Sequence, residues 1–377
     1  VSLGRTLAVC LALAAFPAAP AAPPAQGPFL RPGPDAGPAL ERLENLGPDL
    51  AGSVANSLAY LDRPGAARVY AQRGPGPFSL DRTRRTLARL RDLLAGDPGA
   101  LRTALGTEFE FHPVAGEDRR GTVNFTGYFE PAYEASRTPT PVYRYPLYQA
   151  PKDFKAWPKP HPTRARLVGV DGLQGARGPL QGLELAWLKD RFQAFLVEVQ
   201  GSARLLLPDG ATMTVHNSAI TDYPYVSLGR LLAADRKLKG GMGIPSIAAH
   251  FEAHPEDVGP YLSRCNRMVF FRETQGAQAS GSLEVPLTAG CTLATDKDLF
   301  PPGALVLVEL DLPEPRADGG FSLRRAQRLA LDQDAGGGIK GPGRMDYFVG
   351  SGPEAGLVAG WTRSSGRAWY VLLKDQD

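Results

Sequence analysis

The chain is predicted to be mainly β with a helical N-terminal region, and three observations lead there. Short apolar runs at Leu305 to Leu310, Arg328 to Leu331, Met345 to Val349 and Ala368 to Leu373 are separated by Gly/Pro turns. Regularly spaced short strands of this kind favour a small barrel over a parallel sheet. The 43 glycines and 35 prolines in 377 residues make turns abundant and argue against an all-helical fold. A helical period is sustained only from Pro38 to Leu105 and in two later segments. The apolar fraction of 43% and charged fraction of 21% are those of a globular chain of about two domains.

The elements follow in order. Val1 to Arg5 carries one positive charge, Thr6 to Phe16 is apolar, and Ala18-Ala19-Pro20-Ala21 offers small-residue cleavage sites. That is the form of a secretory signal peptide over 1–21, so an exported, periplasmic protein is expected. Leu7-Ala8-Val9-Cys10 is lipobox-like, although Val9 is bulky, which leaves a lipid-anchored or a soluble mature form open. Residues 22–36, rich in Pro, Ala and Gly, read as a tether. Leu87, Leu90, Leu93 and Leu94 make one helical stripe with arginines on the other face. Glu108 to Phe111 alternates, Thr122 to Phe129 is strand-like, and Ala135 to Pro179 suggests long loops around short strands. Phe195 to Gln200 is a strand candidate ending at Gly201. Pro208-Asp209-Gly210 between Arg204 to Leu207 and Thr212 to Val215 signals a hairpin. Helices are expected at Val226 to Leu238 and Pro245 to His254. Cys265 and Cys291 either form one bridge, which export would permit, or are free buried thiols.

Several function classes are excluded. A net charge of +3 with scattered basic residues gives no footprint for nucleic acid. His250 and His254 flank Glu252, but Phe251 stands where a zinc-protease motif needs its acid, so no metal site is expected. Gly-x-Ser-x-Gly is absent. Gly336-Gly337-Gly338-Ile339-Lys340-Gly341 lacks the Gly-Lys-Ser/Thr of a phosphate loop. The acids carry more chemistry. Asp334 precedes this glycine cluster, and Asp346 follows it beside Met345, Tyr347 and Phe348. A carboxyl among apolar side chains is harder to ionise, as a general acid near neutral pH requires. Arg344 shares a strand face with Asp346 and would oppose that shift, or would make the two a structural ion pair.

The motifs resemble the membrane-bound lytic murein transglycosylase A family. They are Phe125-Thr126-Gly127-Tyr128-Phe129-Glu130-Pro131, Val199 to Leu205, Tyr225 to Arg230, Cys265 to Phe271 and Val285 to Thr288. The match is strongest at Asp332-Gln333-Asp334-Ala335-Gly336-Gly337-Gly338-Ile339-Lys340-Gly341, with Asp346 and Gly350 to Gly356 after it. It runs in one order from about Asn124 to Leu373.

The resemblance implies a double-psi β-barrel with a second, smaller β-domain inserted, and a long groove for a glycan strand. The corresponding segments are 37–130 for the N-terminal helices and first part of the barrel, 131–261 for the insert and 262–377 for the rest of the barrel. It implies a lytic transglycosylase that cleaves peptidoglycan between N-acetylmuramic acid and N-acetylglucosamine, leaving a 1,6-anhydro sugar. Asp346 maps to the single catalytic acid/base, with Asp334 and Asp296 as supporting aspartates. Thr126, Tyr128, Gln200, Ser202 and Lys340 would contact sugars, or else serve local turns and packing. No cofactor is needed. A monomer acting on glycan strands is expected, with cell-wall synthesis or division proteins and the outer membrane as candidate associates. Two alternatives stay open: a hydrolase with Asp334 or Asp296 as a second working carboxylate, and a non-catalytic wall-binding module.

Overall fold

The computed structural model describes residues 27–30, 37–73, 76–238, 242–274, 279–317, 320–336 and 338–375. The expected signal peptide and Cys10 lie outside these residues. Of the expected tether only 27–30 lies within them, and it is not free. Leu30 N donates to Pro113 O (2.8 Å), Ala115 N donates to Pro28 O (2.8 Å), and the Phe29 ring stacks on Phe78 at 4.9 Å. An aromatic residue within a Pro/Ala/Gly-rich stretch was enough to dock it.

A short strand β1 (Leu43–Glu44) precedes four helices, α1 (Pro48–Leu61), α2 (Pro64–Gln72), α3 (Leu80–Leu94) and α4 (Pro98–Glu108). Proline opens α1, α2 and α4, where its missing N–H would be unpaired in any case. Ser79 and Asp97 cap α3 and α4 by accepting from Arg82 N and Ala100 N. The leucine stripe of α3 faces the core, with Leu87 and Leu90 fully buried. Arg82 departs from the solvent face expected for the arginines: it is buried, donates to Leu373 O and pairs with Glu110 at 2.8 Å. The alternating segment becomes β2 (Phe109–Pro113), and the next strand is β3 (Val123–Glu130).

The chain gathers into two compact units, one of them formed by Glu130–Ala279 with Ser351–Gly356. Its elements are β4 (Ala132–Ser136), β5 (Tyr145–Tyr148), α5 (Arg164–Val168), β6 (Glu184–Leu188), α6 (Arg191–Gln200), β7 (Ser202–Leu206), β8 (Thr212–Ile220), α7 (Leu228–Ala234), α8 (Ile244–Ala253), α9 (Pro255–Ser263) and β9 (Val269–Glu273). The six strands form one sheet in the order β5-β6-β4-β7-β8-β9. β7 and β8 are the expected hairpin, paired from Ser202↔His216 to Leu206↔Thr212. Because β9 pairs with β8, this sheet continues past residue 261, where the insert was expected to end.

The strand expected at Phe195 to Gln200 is instead the second half of α6. The Asp190 side chain accepts from Gln193 N to start the helix, and Gly201 stops it in the left-handed region at φ +80°. Phe192, Ala194, Phe195, Leu196 and Val197 all bury, so packing overrides the β-propensity of this stretch. The same helix carries Glu198, which forms a two-pronged pair with Arg164 at 2.6 and 2.7 Å. Only 6% of the Arg164 and 10% of the Glu198 side chain is exposed.

The second unit holds the described residues up to Phe129, Ser280–Gly350 and the described residues from Leu357 onward. It contributes β10 (Thr292–Ala294), β11 (Leu305–Pro315), β12 (Phe321–Asp334) and β13 (Arg344–Ser351); α10 (Gly352–Trp361) then leads to β14 (Arg363–Leu373). Neighbouring strands run β12-β10-β13-β3-β14-β11, and β11 pairs back with β12 to close a six-stranded barrel, the architecture expected from the short C-terminal runs. β10 lies parallel to β12 and antiparallel to β13. Phe125, Leu293, Val306, Val308, Ala330, Tyr347 and Tyr370 fill one core cluster of the barrel. α1, α3 and the β2–β14 pair share another, in which Cys291 packs.

Cys265 and Cys291 are both free and buried, one in each unit, so the bridge alternative is not realised. Burial pushes each thiol up to about 11.

Removing Glu198 would strand the buried Arg164 charge. Glu198→Ala is therefore expected to cost about 3–5 kcal/mol, measured by urea unfolding of the purified chain, whereas exposed Glu284→Ala should cost under about 1 kcal/mol.

Candidate active site

The shortest barrel strand organises the acids. Ala294 on β10 is the register partner of Asp346 on β13 and also of Asp334 on β12. Two carboxyls are thereby set on the strands flanking one small residue. On the other side of β13 lies β3, and contacts between the two keep step: Asn124 N donates to Gly343 O, Thr126 meets Asp346, and the Tyr128 ring meets Phe348 at 5.2 Å.

Asp346 is mostly buried, with 16% of its side chain exposed. The Thr126 hydroxyl donates to its Oδ1 at 2.5 Å, and Arg344 Nε stands 3.5 Å from the same oxygen. Burial is the leading influence and raises the pKa of Asp346 above the usual carboxylate range. The Thr126 hydrogen bond and the Arg344 charge pull against it, and the Asp334 charge adds to it. The contest anticipated between apolar surroundings and Arg344 is thus decided by burial.

Asp334 is held differently. Ser282 N and Ala335 N donate to its Oδ1 at 2.7 and 2.8 Å, and the Tyr128 hydroxyl donates to its Oδ2 at 3.0 Å. Its pKa too is raised by burial, against these hydrogen bonds and the charge of Lys297. Both of its oxygens are engaged, which suits a supporting group better than a free base. Tyr128 is driven well above its ordinary pKa by burial and by the acids around it, so its hydroxyl stays a donor. Gly127, between Thr126 and Tyr128, is required by space: a Cβ there would lie 2.7 Å from Thr362 and 2.8 Å from the Ala359 backbone.

Asp296, 6% exposed, ties down the loop after the glycine cluster. Its Oδ2 accepts from Gly341 N at 3.0 Å, and its Oδ1 accepts from Lys340 Nζ at 3.1 Å. Lys340 also pairs with Asp298 at 3.1 Å, so this expected sugar contact is engaged with two acids of the loop after β10. Gly337 lies outside the described residues.

The site expected from the sequence is therefore partly assembled. Asp346, Asp334, Thr126 and Tyr128 form one cluster, and Asp296, on the loop after β10, pairs with Lys340 on the loop before β13. Thr126 and Tyr128, expected to face sugars, give their hydroxyls to the two acids. Gln200 and Ser202 belong to the other unit, on either side of Gly201, and Gln200 Oε1 accepts from Tyr133 at 3.2 Å. Sequence reasoning missed Ser282, whose contact with Asp334 spans 52 residues, and the Asp332–Lys297 pair inside the barrel. Its spacing of two from Asp334 would suggest a shared strand face, but a register shift where β10 meets β12 breaks the alternation and turns Asp332 into the barrel core beside Tyr370.

Among the described residues no cluster of three or more His, Cys, Asp or Glu is placed to hold a metal ion. His250 and His254 instead meet Asp257 at 2.8 Å and Glu256 at 3.2 Å. No helix among the described residues is long and apolar enough to cross a membrane.

The chain is similar in sequence and fold to known proteins. Residues 124–272 match the MltA specific insert domain and residues 291–372 match the 3D domain. Membrane-bound lytic murein transglycosylase A of Vibrio cholerae is 34% identical over 287 residues, 75% of this chain and 73% of that protein. The protein of the same name from Escherichia coli K12 is 32% identical over 262 residues, 68% of each. Among solved structures, E. coli MltA with bound chitohexaose superposes with a TM-score of 0.64 at 26% identity, covering 87% of this chain and 91% of that one. The membrane-bound lytic murein transglycosylase of Agrobacterium tumefaciens gives 0.66 at 28% identity, covering 86% and 92%. The barrel, the second sheet and these relatives together make the chain a peptidoglycan-cleaving lyase of the membrane-bound lytic murein transglycosylase A family.

Proposed function

We propose that this enzyme cleaves the β-1,4 bond between N-acetylmuramic acid and N-acetylglucosamine in peptidoglycan glycan strands, with Asp346 as its single acid/base. The observation that carries the reading is the setting of Asp346: buried, with burial raising its pKa above the usual carboxylate range, and hydrogen-bonded by the Thr126 hydroxyl. The chitohexaose bound by the E. coli relative supports a glycan as the ligand.

Protonated Asp346 would donate to the glycosidic oxygen as the bond to the anomeric carbon breaks and oxocarbenium character develops there. The Asp346 carboxylate would then take the proton from the muramyl C6 hydroxyl, whose oxygen attacks the anomeric carbon. The product is a 1,6-anhydro sugar and water is not consumed. Hydrolytic glycosidases use a second carboxylate as nucleophile or base; here the substrate supplies the nucleophile. Three donors already engage Asp334, consistent with a supporting role. Its negative charge favours the proton on Asp346. Asp296 would keep the Lys340–Gly341 loop in place beside them. Gln200 and Ser202 remain proposed sugar contacts of the second sheet, and the N-terminal signal supports export to the periplasm.

Muropeptides released from purified peptidoglycan by wild type and by Asp346→Asn, read by mass spectrometry, test this. Anhydro-muropeptides from the wild type alone are expected. Reducing-end products would mean a hydrolase with a second working carboxylate, and undiminished release by Asp346→Asn would remove Asp346 from the chemistry.

The pH profile has a definite sign. The Thr126 hydroxyl favours the ionised form of Asp346, so its loss raises the pKa of the acid. Thr126→Val should move the alkaline limb of kcat/KM upward, on the order of one pH unit for the loss of one charge-assisted hydrogen bond. An unmoved or lowered limb would contradict the assignment.

A further inference from the structure

The cations around the acids of the barrel are not alike. Lys297 is ion-paired with the wholly buried Asp332, and Lys340 with Asp296 and Asp298. Arg344 is spent on far less. Its Nε lies 3.5 Å from Asp346 Oδ1, a loose ionic contact, and makes no hydrogen bond. Its two Nη groups have no partner among the described residues, and 21% of the side chain stays exposed.

Its place in the barrel follows from alternation. Met345 and Tyr347 fill the core cluster, so Arg344 and Asp346 lie on the opposite face of β13. Phe125 of β3 belongs to the same cluster, which puts Thr126 on that outer face too. Arg363, which is exposed, is the register partner of Thr126 on β14. Residues directly opposite one another on a sheet have Cβ atoms about 5 Å apart. Two guanidinium side chains therefore flank the Thr126–Asp346 hydrogen bond, one along β13 and one across on β14. When a ligand covers such a face and excludes water, an unpaired cation is costly unless the ligand brings a counter-charge.

Both contacts of Asp346 fall on Oδ1, and among the described residues Oδ2 has none. A glycosidic oxygen then meets the acid at Oδ2, while the guanidinium stands beyond Oδ1, beside a substituent of the sugar rather than the bond that is cut. In peptidoglycan the N-acetylglucosamine is uncharged. The muramyl residue carries the charge: its O3 lactyl group ends in a carboxylate or, where a stem peptide is attached, leads to the carboxylates of that peptide. A planar guanidinium fork matches a carboxylate with two parallel hydrogen bonds. We propose that Arg344 is a specificity-determining residue: its Nη groups, with the charge of Arg363 nearby, hold a carboxylate of the muramyl side chain while the bond is cut at Asp346. The proposal rests on the reading of Asp346 as the acid and narrows the substrate from a glycan to one whose muramyl carboxylates are read.

The test is binding, measured by calorimetry in the Asp346→Asn background, where Asn stands for the neutral acid and strands are not cut. Asp346→Asn alone is compared with the same protein carrying Arg344→Gln or Arg344→Lys, with folding checked by thermal unfolding. The ligands are peptidoglycan glycan strands with their stem peptides, the same strands after enzymatic removal of the peptides, and chitohexaose, which has no carboxylate. Arg344→Gln should weaken binding of a carboxylate-bearing strand about tenfold or more, as for the loss of a hydrogen bond to a charged group, and leave chitohexaose unchanged. Arg344→Lys, which keeps the charge without the fork, should recover part of the loss. A loss confined to peptide-bearing strands assigns a stem-peptide carboxylate, and a loss seen on stripped strands assigns the lactyl carboxylate. Equal losses for chitohexaose and the charged strands, or unchanged binding of all three, would overturn the proposal. Release of muropeptides by Asp346→Asn would overturn the assignment of the acid instead, whatever the Arg344 variants bind.

Discussion

A carboxylic acid that is to give up a proton near neutrality has first to be kept from ionising, and desolvation is the means available to this barrel. Asp346 gains that environment because β13 is an interior strand of a closed ring, with β10 on one side and β3 on the other. Closure removes every free edge, so Asp346, on the face opposite the core residues Met345 and Tyr347, is flanked by strands on both sides. β3 supplies the Thr126 hydroxyl, β12 supplies Asp334, and β13 itself supplies Arg344. Were the ring open between β13 and β3, water would replace Thr126 and lower the pKa of the acid. The proposed chemistry thus depends on strand order before it depends on any single contact.

The two units solve the problem of buried charge in different ways. In the sheet unit Arg164 and Glu198 satisfy each other with two short hydrogen bonds, and Cys265 O, Arg267 O and Val269 N complete the shell. Nothing there is left over to react. In the barrel unit the acids are held by single hydroxyls and backbone amides, and burial outweighs the nearby cations. Partial satisfaction of this kind costs stability, and sites of proton transfer are where such a cost is functional.

Much of this was legible in the sequence where the signal was local. Asp346 beside Met345, Tyr347 and Phe348 announced a carboxyl in an apolar strand, and the short C-terminal runs announced a barrel. The Pro208-Asp209-Gly210 hairpin and the α3 stripe needed only periodicity and turn chemistry. The misread elements were those in which distant packing decided. Phe195 to Gln200 has a strand's composition, yet the cap at Asp190 and the left-handed Gly201 enclose it in a helix whose apolar face is buried. Phe29 lay in what read as a tether, and only the far-off Phe78, Phe300 and Tyr370 explain its docking. The partners of the acids were hidden for the same reason: 220 residues separate Thr126 from Asp346, and 206 separate Tyr128 from Asp334. Motif resemblance brought Thr126 and Tyr128 forward as sugar contacts, and the barrel turns both hydroxyls onto the acids.

The central claim is that burial keeps a proton on Asp346 under working conditions. Its most direct measurement is the titration of the Asp346 carboxyl carbon by NMR in the free enzyme, assigned by comparison with Asp346→Asn. The account predicts a midpoint clearly above the usual Asp value of about 3.9, with a second, coupled inflection from Asp334. A carboxyl that titrates at or below that value would mean that Arg344 and Thr126 prevail over burial, and the proposed acid would have to be sought elsewhere in the barrel.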